Sequence, residues 1–237
     1  MRYLPPQVDV TTDFHHDANG RDPDTFSPAL RDYHYALWSK RLPNGDHFNL
    51  EKVNRGRSVY LRYTTGHEVF VLSSDLILTS SRGPCRTFYE ETPESARSEF
   101  HSQGQTIGGR IVFPCLRVNG KHTINQARGT HPRIRDRFDL TLECIRRHYI
   151  GDPSPLGKVL QRYASFFDLF VNFEEYIRFF LLDDLVEERR VQFFLLFDDF
   201  QGSALPDSQE DYERYLDAQL AFLHARNSRI QRWTTTV

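Results

Sequence analysis

The sequence of 237 residues lacks the patterns that mark membrane and secreted proteins. No apolar run approaches the roughly 20 residues of a membrane-spanning helix, and Phe179–Leu182, for example, is followed directly by Asp183 and Asp184. Residues 1–6 lack the apolar core of a signal peptide. We therefore expect a soluble, cytoplasmic protein that does not contact a membrane.

Cysteine is scarce and forms no recognisable framework. Cys85, Cys115 and Cys144 are odd in number and widely spaced, and they match no zinc-binding pattern. We expect three reduced thiols. The aspartate-rich stretch 17–24 resembles an oxygen-rich cation loop, but it lacks the alternating ligands and terminal Glu of an EF-hand. We interpret the stretch as a series of Asp and Asn turns and predict no metal site. The sequence does not indicate a cofactor.

Two catalytic motifs are also missing. There is no Gly-x-Ser-x-Gly sequence, so a hydrolase triad has no support. The pair Gly108-Gly109 is not part of a strand, Gly-x-Gly-x-x-Gly and helix unit, so it does not indicate a dinucleotide-binding fold. The reaction type must be sought in other features.

The chain does have a strong separation of charge along its length. Its formal net charge is only -2, yet residues 101–150 hold nine Lys or Arg against three Asp or Glu. Residues 151–220 hold six basic against fifteen acidic residues. Such a dipolar chain favours anionic ligands at one surface and leaves the acidic half for a protein partner.

The hydrophobic periods predict an α+β fold, with a mainly antiparallel sheet at about 58–128 packed against C-terminal helices. No linker or repeat divides the chain, so we predict an extended N-terminal arm at 1–26 and a single α+β domain at 27–237. The predicted helices cover 27–40, 92–100, 132–150, 154–170, 172–188 and a last one from 207 or 208. The predicted strands cover 58–63, 68–74, 76–81, 110–118, 121–126 and 191–197. Asn119-Gly120 would close a hairpin between 110–118 and 121–126, with Pro114 on an edge strand.

The first candidate site combines Asn125, Arg128 and Gly129. If the strand ends near residue 126 and the chain turns at Gly129, the amide and the guanidinium converge beside a helix that opens at Pro132. Arg binds phosphate in a bidentate manner, and a helix N-terminus adds free N–H groups. The alternative is that Arg128 bridges the sheet to an acidic partner as a structural residue.

A wider basic surface surrounds this site. Arginines at 133, 135, 137, 146 and 147 lie on the predicted helix after Pro132, and the preceding hairpin contributes Arg110, Arg117, Lys121 and His122. These cations either track phosphates or form a solvated helix face. We name Arg110, Asn125, Arg128, Gly129 and Arg137 as the ligand-binding candidates.

Histidines and one aspartate supply the candidates for proton transfer. His122 and His131 lie near the basic surface, and an unperturbed imidazole titrates near neutral pH. Asp75 follows Ser73-Ser74 at a predicted strand end, where it either orients a histidine or holds a ligand hydroxyl, or caps the next turn. We predict His122, His131 and Asp75 as the catalytic residues, with His34 and His148 as further histidines near the motifs.

Several motifs resemble those of an uncharacterised bacterial family of unknown function. The resemblance spans nearly the whole chain and rests on Tyr33-His34 with Leu37-Trp38-Ser39-Lys40, on Ser73-Ser74-Asp75, and on the stretches 108–114, 123–129 and 136–143. It implies a discrete bacterial cytosolic protein and carries over no activity, cofactor or catalytic residue.

Two functional hypotheses follow. The first is an enzyme that acts on nucleic acid or a nucleotide through the basic site, as a toxin-like or phage-defence-like nuclease or transferase. The second is a non-catalytic binding or protein-interaction module. An enzyme requires a cavity in which Asn125, Arg128 and a histidine or carboxylate converge, whereas a module allows these side chains to be dispersed or tied into salt bridges.

Overall fold

The computed structural model describes residues 7–55, 58–66, 68–79 and 83–236 and confirms an α+β fold. The described residues form these helices: α1 (Phe14–Asp17), α2 (Pro23–Phe26), α3 (Pro28–Trp38), α4 (Arg86–Glu91), α5 (Glu94–Gly104), α6 (Ile124–Thr130), α7 (Phe138–Ile150), α8 (Gly157–Gln161), α9 (Ala164–Asp168), α10 (Phe173–Phe180) and α11 (Gln209–Thr236). The strands are β1 (Glu51–Arg55), β2 (Ser58–Thr65), β3 (Glu68–Leu76), β4 (Arg110–Pro114), β5 (Val186–Glu187) and β6 (Arg190–Val191). Every helix among these residues is too short or too polar to cross a bilayer.

The first four strands form one antiparallel sheet in the order β1-β2-β3-β4. The predicted hairpin between residues 58 and 74 is confirmed, with Thr65 opposite Glu68, although His67 lies outside the described residues. β4 returns to the sheet after α4 and α5, and it places Pro114 opposite Leu72 on an edge strand, as predicted. β5 and β6 form a separate small ribbon.

Residues 73–75 lie inside β3 rather than at a strand end. β3 continues to Leu76, where Asp75 pairs with Ile111 of β4. The predicted third strand at 76–81 is therefore wrong for residues 77–79, and residues 80 and 81 lie outside the described part of the chain. Ile77 still donates a backbone hydrogen bond to Gly109, which ends the sheet at that point.

The prediction of a strand at 121–126 is also wrong. The Asn119-Gly120 turn does form, with a hydrogen bond from Lys121 N to Val118 O, but a helix follows it. Thr123 accepts a hydrogen bond from Gln126 N, and the Gln126 side chain accepts one from Thr123 N. This reciprocal capping box satisfies two donors that a helix start leaves free, and it begins α6 where we predicted a strand.

The helices near the C-terminal half are shorter than predicted. α7 begins at Phe138 rather than at Pro132, because Arg135 and Asp136 adopt positive φ angles, and it ends at the left-handed Gly151 as predicted. The predicted helix 154–170 is split into α8 and α9. α10 starts at the predicted Asn172 cap but stops at Phe180, and residues 192–197 are not a strand.

The N-terminal segment is more ordered than the predicted extended arm. Residues 14–17 and 23–26 are helical, and the Phe14 side chain is completely buried in the same core as the helices and the sheet. A single hydrophobic cluster runs from Val8 to Ile230. Residues 1–6 lie outside the described residues.

Arg226 of α11 connects the C-terminal helix by hydrogen bonds to two segments of the core that are distant in sequence. Its fully buried guanidinium donates hydrogen bonds to four main-chain carbonyl oxygens, those of Gly108, Arg110, Phe180 and Leu181. The last two belong to the end of α10, so Arg226 takes the carbonyls that a longer helix would use. Leu181 itself adopts a left-handed conformation, which ends α10 before the predicted residue 188.

Gly108 allows α11 to approach this closely. A Cβ atom at this position would lie 2.4 Å from Asn227 Oδ1, which accepts a hydrogen bond from Gly108 N. A Cβ atom on Gly109 would lie 2.5 Å from the Gly104 carbonyl oxygen. The Gly-Gly pair therefore serves close packing of the main chain rather than phosphate binding.

Candidate active site

Arg128, the centre of the predicted basic site, lies on the buried face of α6. Its Nη1 atom is 2.5 Å from Asp75 Oδ2 and 2.8 Å from the Leu76 carbonyl oxygen. Its Nη2 atom donates to the Asp136 carbonyl oxygen, and its Nε atom donates to Thr141 Oγ1. The side chain has no exposed surface. The expectation that Arg128 faces a ligand is wrong, because protein acceptors already occupy its guanidinium.

Arg137 is enclosed in a similar way. Its guanidinium forms a bidentate pair with Asp139, at 3.1 and 2.5 Å, and a hydrogen bond to the Ala204 carbonyl oxygen. Asp139 is itself completely buried and also accepts from Phe194 N. This pair joins the start of α7 to the segment before α11, so the structure gives Arg137 a structural role.

The remaining members of the predicted site do not converge. Gly129 lies within α6 on the exposed side, without a positive φ, so it does not form the predicted turn. Asn125 is half-buried near the start of α6, and its Oδ1 atom has no hydrogen-bond partner among the described residues. His122 and His131 lie beyond opposite ends of this helix, whose seven residues span roughly 10 Å.

The state of these two histidines differs. His122 is exposed, and its main-chain carbonyl accepts a hydrogen bond from Arg162. Partial burial, followed by the nearby Arg133 cation, lowers the pKa of His131, whose Nδ1 atom accepts from Arg133 N. Asp75, the third predicted catalytic residue, accepts from Arg128 and from Leu76 N. Among the predicted site residues, Asp75 and Arg128 form a direct ion pair, and Arg110 lies close enough to Asp75 for its charge to be felt.

Most other cations of the predicted surface have protein partners. Arg146 and Arg147 both pair with Glu143, and Arg147 also reaches Asp199. Arg133 donates to the Gly202 carbonyl oxygen. Exposed cations that remain are Arg117, Lys121 and Arg135. The basic surface is thus much smaller than the sequence predicts.

A cavity of about 300 Å³ opens at a different place, between the N-terminal helices and the sheet. Polar side chains from three elements reach it. It is lined by Asp22, Asp24, Thr25, Leu30, Arg31, His34, Tyr60, Leu61, Leu72, Ser73, Ser74, Cys115 and Leu116. α2 supplies the aspartate, α3 the histidine and arginine, and β3 the serines, so most of the site rests on regular structure.

Asp24 is the most perturbed acidic group in this cavity. Burial raises the pKa of Asp24 to about 7, and the nearby Arg110 cation offsets only part of that effect. Its Oδ1 atom lies 3.5 Å from Arg110 Nη1 and has no hydrogen-bond partner among the described residues. A carboxyl group with this pKa can both release and accept a proton near neutrality.

Arg110, a predicted ligand-binding residue, does lie beside this site. It is the first residue of β4 and is almost completely buried, with Nη2 2.6 Å from Gln105 Oε1. Its Nε atom finds no acceptor within the described part of the chain. Burial lowers the pKa of Arg110, against the opposing effect of Asp24. The pair Arg110–Asp24 therefore retains unused hydrogen-bonding capacity, which is uncommon for buried polar groups.

His34 connects the cavity to the core. Its Nδ1 atom accepts a hydrogen bond from Trp38 Nε1 at 2.9 Å, and its Nε2 atom lies 3.0 Å from Ser74 Oγ. Burial, followed by the Arg110 and Arg226 cations, lowers the pKa of His34 to about 3, so the ring is neutral. Indole N–H is only a donor, so the ring proton resides on Nε2 and is donated to Ser74.

This tautomer excludes a serine-protease-like triad. In such a triad the histidine accepts the serine proton, whereas His34 donates to Ser74. The Ser74 hydroxyl is therefore directed away from His34, and its proximity lowers the pKa of Asp24 against the larger effect of burial. Hydrogen bonds thus link Trp38 through His34 to Ser74, which lies beside Asp24.

Part of this site was visible in the sequence, but in other roles. Asp24 belongs to the aspartate-rich stretch that resembled a cation loop, and Ser74 precedes the aspartate that we selected. Within that stretch, Asp17 accepts from Ser27 and Ala29, and Asp22 caps α2, so these residues form turns as preferred. The described residues hold no cluster of His, Cys, Asp or Glu able to bind a metal ion.

Comparison with known proteins identifies a family but no activity. The model of a family of unknown function, DUF6994, matches residues 8–230. No curated protein and no solved structure matches the chain. The matched range includes the entire cavity and the arginine–aspartate pairs at Arg110, Arg128 and Arg137.

Proposed function

The chain belongs to the family of unknown function DUF6994, and from its cavity we propose that it is an enzyme acting on a nucleotide-sized, phosphate-bearing small molecule. The observation that carries the proposal is the convergence of Asp24, Ser74 and Arg110 at an open cavity. Asp24 is the proton-transfer group. This assignment replaces the predicted pair of histidines, which do not face each other.

The lining residues match the parts of a mononucleotide. Arg31 suits a phosphate group, because it donates to the Thr25 carbonyl through Nη1 and retains other donors. Carboxylates such as Asp22 bind ribose hydroxyl groups, and the ring of Tyr60 offers a stacking surface for a base. A volume of about 300 Å³ is at the lower end of small-molecule sites, so it fits a monomer rather than a folded nucleic acid.

Asp24 meets the chemical requirement for general acid–base catalysis. A catalytic group works best when its pKa lies near the working pH, and Asp24 has this property because it is enclosed. Ser74 and Arg110 lie beside the carboxyl group, whose buried Oδ1 atom has no hydrogen-bond partner among the described residues. Two of the three free cysteines are buried, which supports the cytoplasmic location that we include in the proposal.

A second candidate is a protein-interaction module. Leu196 is 96% exposed in the acidic half of the chain, and it precedes Phe197, whose ring stacks on that of Phe193. Tying Arg128 and Arg137 into salt bridges is also what we expected of a module. This candidate does not account for the unsatisfied groups at the Asp24 cavity, so we place it second.

The test is to incubate the protein with nucleoside monophosphates and diphosphates and to separate the products by chromatography. Asp24→Asn should reduce turnover by about 10²–10⁴-fold, the usual contribution of one acid–base group, with binding largely retained. Arg31→Gln should weaken binding instead. Asp217→Asn, a change of an exposed helical carboxylate, is the matched control.

Two outcomes would count against the enzyme. Turnover that is unchanged in Asp24→Asn would remove Asp24 from the chemistry. The absence of binding by calorimetry for every nucleotide and nucleoside tested would move our preference to the interaction module. Growth of cells that express the wild type or Asp24→Asn separately tests the toxin-like and phage-defence-like role, since only the active protein should slow growth.

A further inference from the structure

Lys40 lies outside the Asp24 cavity and has surroundings unlike those of a surface lysine. The chain contains 26 arginines and only four lysines, at positions 40, 52, 121 and 158. Lys40 follows the end of α3, and its main chain is fixed by hydrogen bonds to Trp38 and Phe48. Its side chain is partly buried, whereas Lys121 and Lys158 are exposed.

Three aromatic rings surround the Lys40 amine. The Nζ atom lies 5.2 Å from the ring centre of Trp38 and 4.7 Å from those of Phe179 and Trp233. These rings come from α3, α10 and α11, so the amine is held where three helices meet. They attract a cation through their faces, but they also exclude the water that normally solvates an ammonium group.

No carboxylate compensates for that loss of water. Among the residues that the structure describes, no Asp or Glu lies within salt-bridge distance of Lys40. Two charged groups act on the amine. The Arg226 guanidinium of α11 disfavours its protonated form, and the Asp183 carboxylate favours that form but is too far away for an ion pair. Burial, followed by Arg226, lowers the pKa of Lys40 to about 7, and Asp183 opposes this shift.

The amine borders a cavity that a small molecule can enter. This cavity has a volume of about 210 Å³ and is lined by Lys40, Arg41, Leu42, Pro43, Glu175, Arg178 and Phe179. Arg178 pairs with Glu175, so Arg41 supplies the uncompensated charge at the entrance. The cavity is therefore suited to a compact ligand that carries a negative group.

We propose that Lys40 is a nucleophilic amine that forms an imine with a small carbonyl compound bearing an anionic group. The proposal rests on the aromatic enclosure of Nζ, on the missing carboxylate and on the open cavity beside it. It is independent of the chemistry assigned to Asp24.

The reaction needs no additional reagent. The lone pair of the neutral amine attacks the carbonyl carbon, and a proton moves from nitrogen to oxygen to give a carbinolamine. Loss of the hydroxyl group with a second proton from nitrogen releases one water molecule and leaves a C=N bond to Nζ. The surrounding rings limit access of water, which slows hydrolysis of the imine.

The difference from other lysines is large at neutral pH. About half of Lys40 is neutral at pH 7, whereas an ordinary lysine with a pKa of about 10.4 is neutral in only about one molecule in 2,500. The less basic amine is also a weaker nucleophile, so part of this advantage is lost. We expect Lys40 to react at least about tenfold faster than an exposed lysine at pH 7.

The experiment uses the full chain, glyoxylate as an anionic aldehyde, and cyanoborohydride to trap the imine. Mass spectrometry of peptides gives the labelling rate at each lysine, with Lys121 and Lys158 as internal controls. We expect preferential labelling of Lys40, with a pH midpoint near 7. Equal or slower labelling of Lys40 at pH 7 would overturn the proposal, as would a midpoint near that of Lys158.

Two further comparisons test the anion preference and the position. Lys40→Arg should abolish the fast labelling phase, whereas Lys121→Arg should leave it unchanged. Acetaldehyde carries no charge, so it should label Lys40 more slowly than glyoxylate does. In Arg41→Gln the two aldehydes should label Lys40 at similar rates. If acetaldehyde labels Lys40 as readily as glyoxylate in the unaltered protein, the anionic part of the proposal is wrong.

Discussion

Two arginine–aspartate clusters lie at the same end of the β3–β4 pairing, where Asp75 and Leu76 pair with Ile111 and Arg110, and they differ in how many of their hydrogen-bonding groups have partners. At Arg128, both terminal nitrogens and Nε have protein acceptors. At Arg110, Nε has no acceptor in the described chain, Asp24 Oδ1 has no donor, and a cavity of about 300 Å³ adjoins them. The same pair of residue types thus forms a closed cluster and an open one.

The difference shows why charge alone does not identify a functional site. A buried guanidinium that uses its donors on the protein stabilises a junction between elements, as Arg128 does between β3, α6 and the loop before α7. A buried polar group without a partner costs free energy, and folded chains retain few of them. The open cluster at Arg110 is therefore the better functional candidate, although the sequence around Arg128 contains more basic residues.

The largest expected effect is on the closed cluster. Arg128→Met should lower the free energy of unfolding by about 3–5 kcal/mol, because it leaves Asp75 and two carbonyl groups without their donor. Urea unfolding at pH 7 measures this loss. If Arg128→Met unfolds at nearly the same urea concentration as the unaltered chain, Arg128 does not have the structural role assigned to it.

The pH dependence of stability should separate the two clusters. Asp24 has a pKa of about 7 in the folded chain, above its ordinary value of 3.8, so the folded state holds its proton more tightly. The resulting stabilisation is fully present below about pH 4 and is lost as the pH rises to about 7. Because a third of the side chain is exposed, we expect a loss of roughly 2 kcal/mol rather than the full shift.

Asp24→Asn should remove this component of the pH dependence and make the chain more stable than the unaltered protein at pH 8. Thermal unfolding between pH 4.5 and pH 8 measures both effects. Asp217→Asn serves as the control and should leave the profile unchanged. An unaltered profile in Asp24→Asn would show that the carboxyl group titrates in its ordinary range.

A smaller effect is expected when the arginine of the open cluster is replaced. Arg110→Met should cost only about 1–2 kcal/mol at pH 6, because Asp24 is then largely protonated and leaves no buried charge behind. The main loss is the hydrogen bond to Gln105. A loss as large as that of Arg128→Met, measured by the same urea titration, would make the two clusters equivalent.

The smallest effect concerns the residual basic surface. Arg117, Lys121 and Arg135 are the exposed cations left near the predicted site, so RNA or DNA should bind only weakly and at low salt. With about three phosphate contacts, the slope of log affinity against log salt concentration should not exceed about 3 in magnitude. Arg117→Glu with Lys121→Glu should remove most of the binding in a filter assay. A steeper slope would require cations that the structure holds in salt bridges.

Capping residues predicted the ends of helices correctly where no second turn or capping signal lay nearby. Ser27 followed by Pro28 fixes the start of α3, Asn172 fixes that of α10, and Gly151 ends α7, because each satisfies or frees main-chain groups at a helix end. At 119–126 two signals competed. The Asn119-Gly120 turn suggested a hairpin, but the Thr123 and Gln126 capping box determined the following element.

The site was harder to predict, because its groups come together only in the folded chain. Asp24, Ser74 and Arg110 are separated by 50 and 36 positions, and no spacing rule connects them. The charge of Arg110 made it a candidate, and it lies 3.5 Å from Asp24, which lines the cavity. Asp24 was missed because its distinctive property, a raised pKa, results from burial beneath elements that the sequence does not place.

The position of Arg226 has a consequence for how the protein is made. The carbonyl groups of Gly108, Phe180 and Leu181 leave the ribosome before the guanidinium that they bind. During that interval only water can satisfy these carbonyls, and the phenylalanine-rich segment at 166–200 has no α11 to cover it. Completion of the core is therefore a late event in synthesis, and nascent chains that stop before residue 226 should be the ones that chaperones retain.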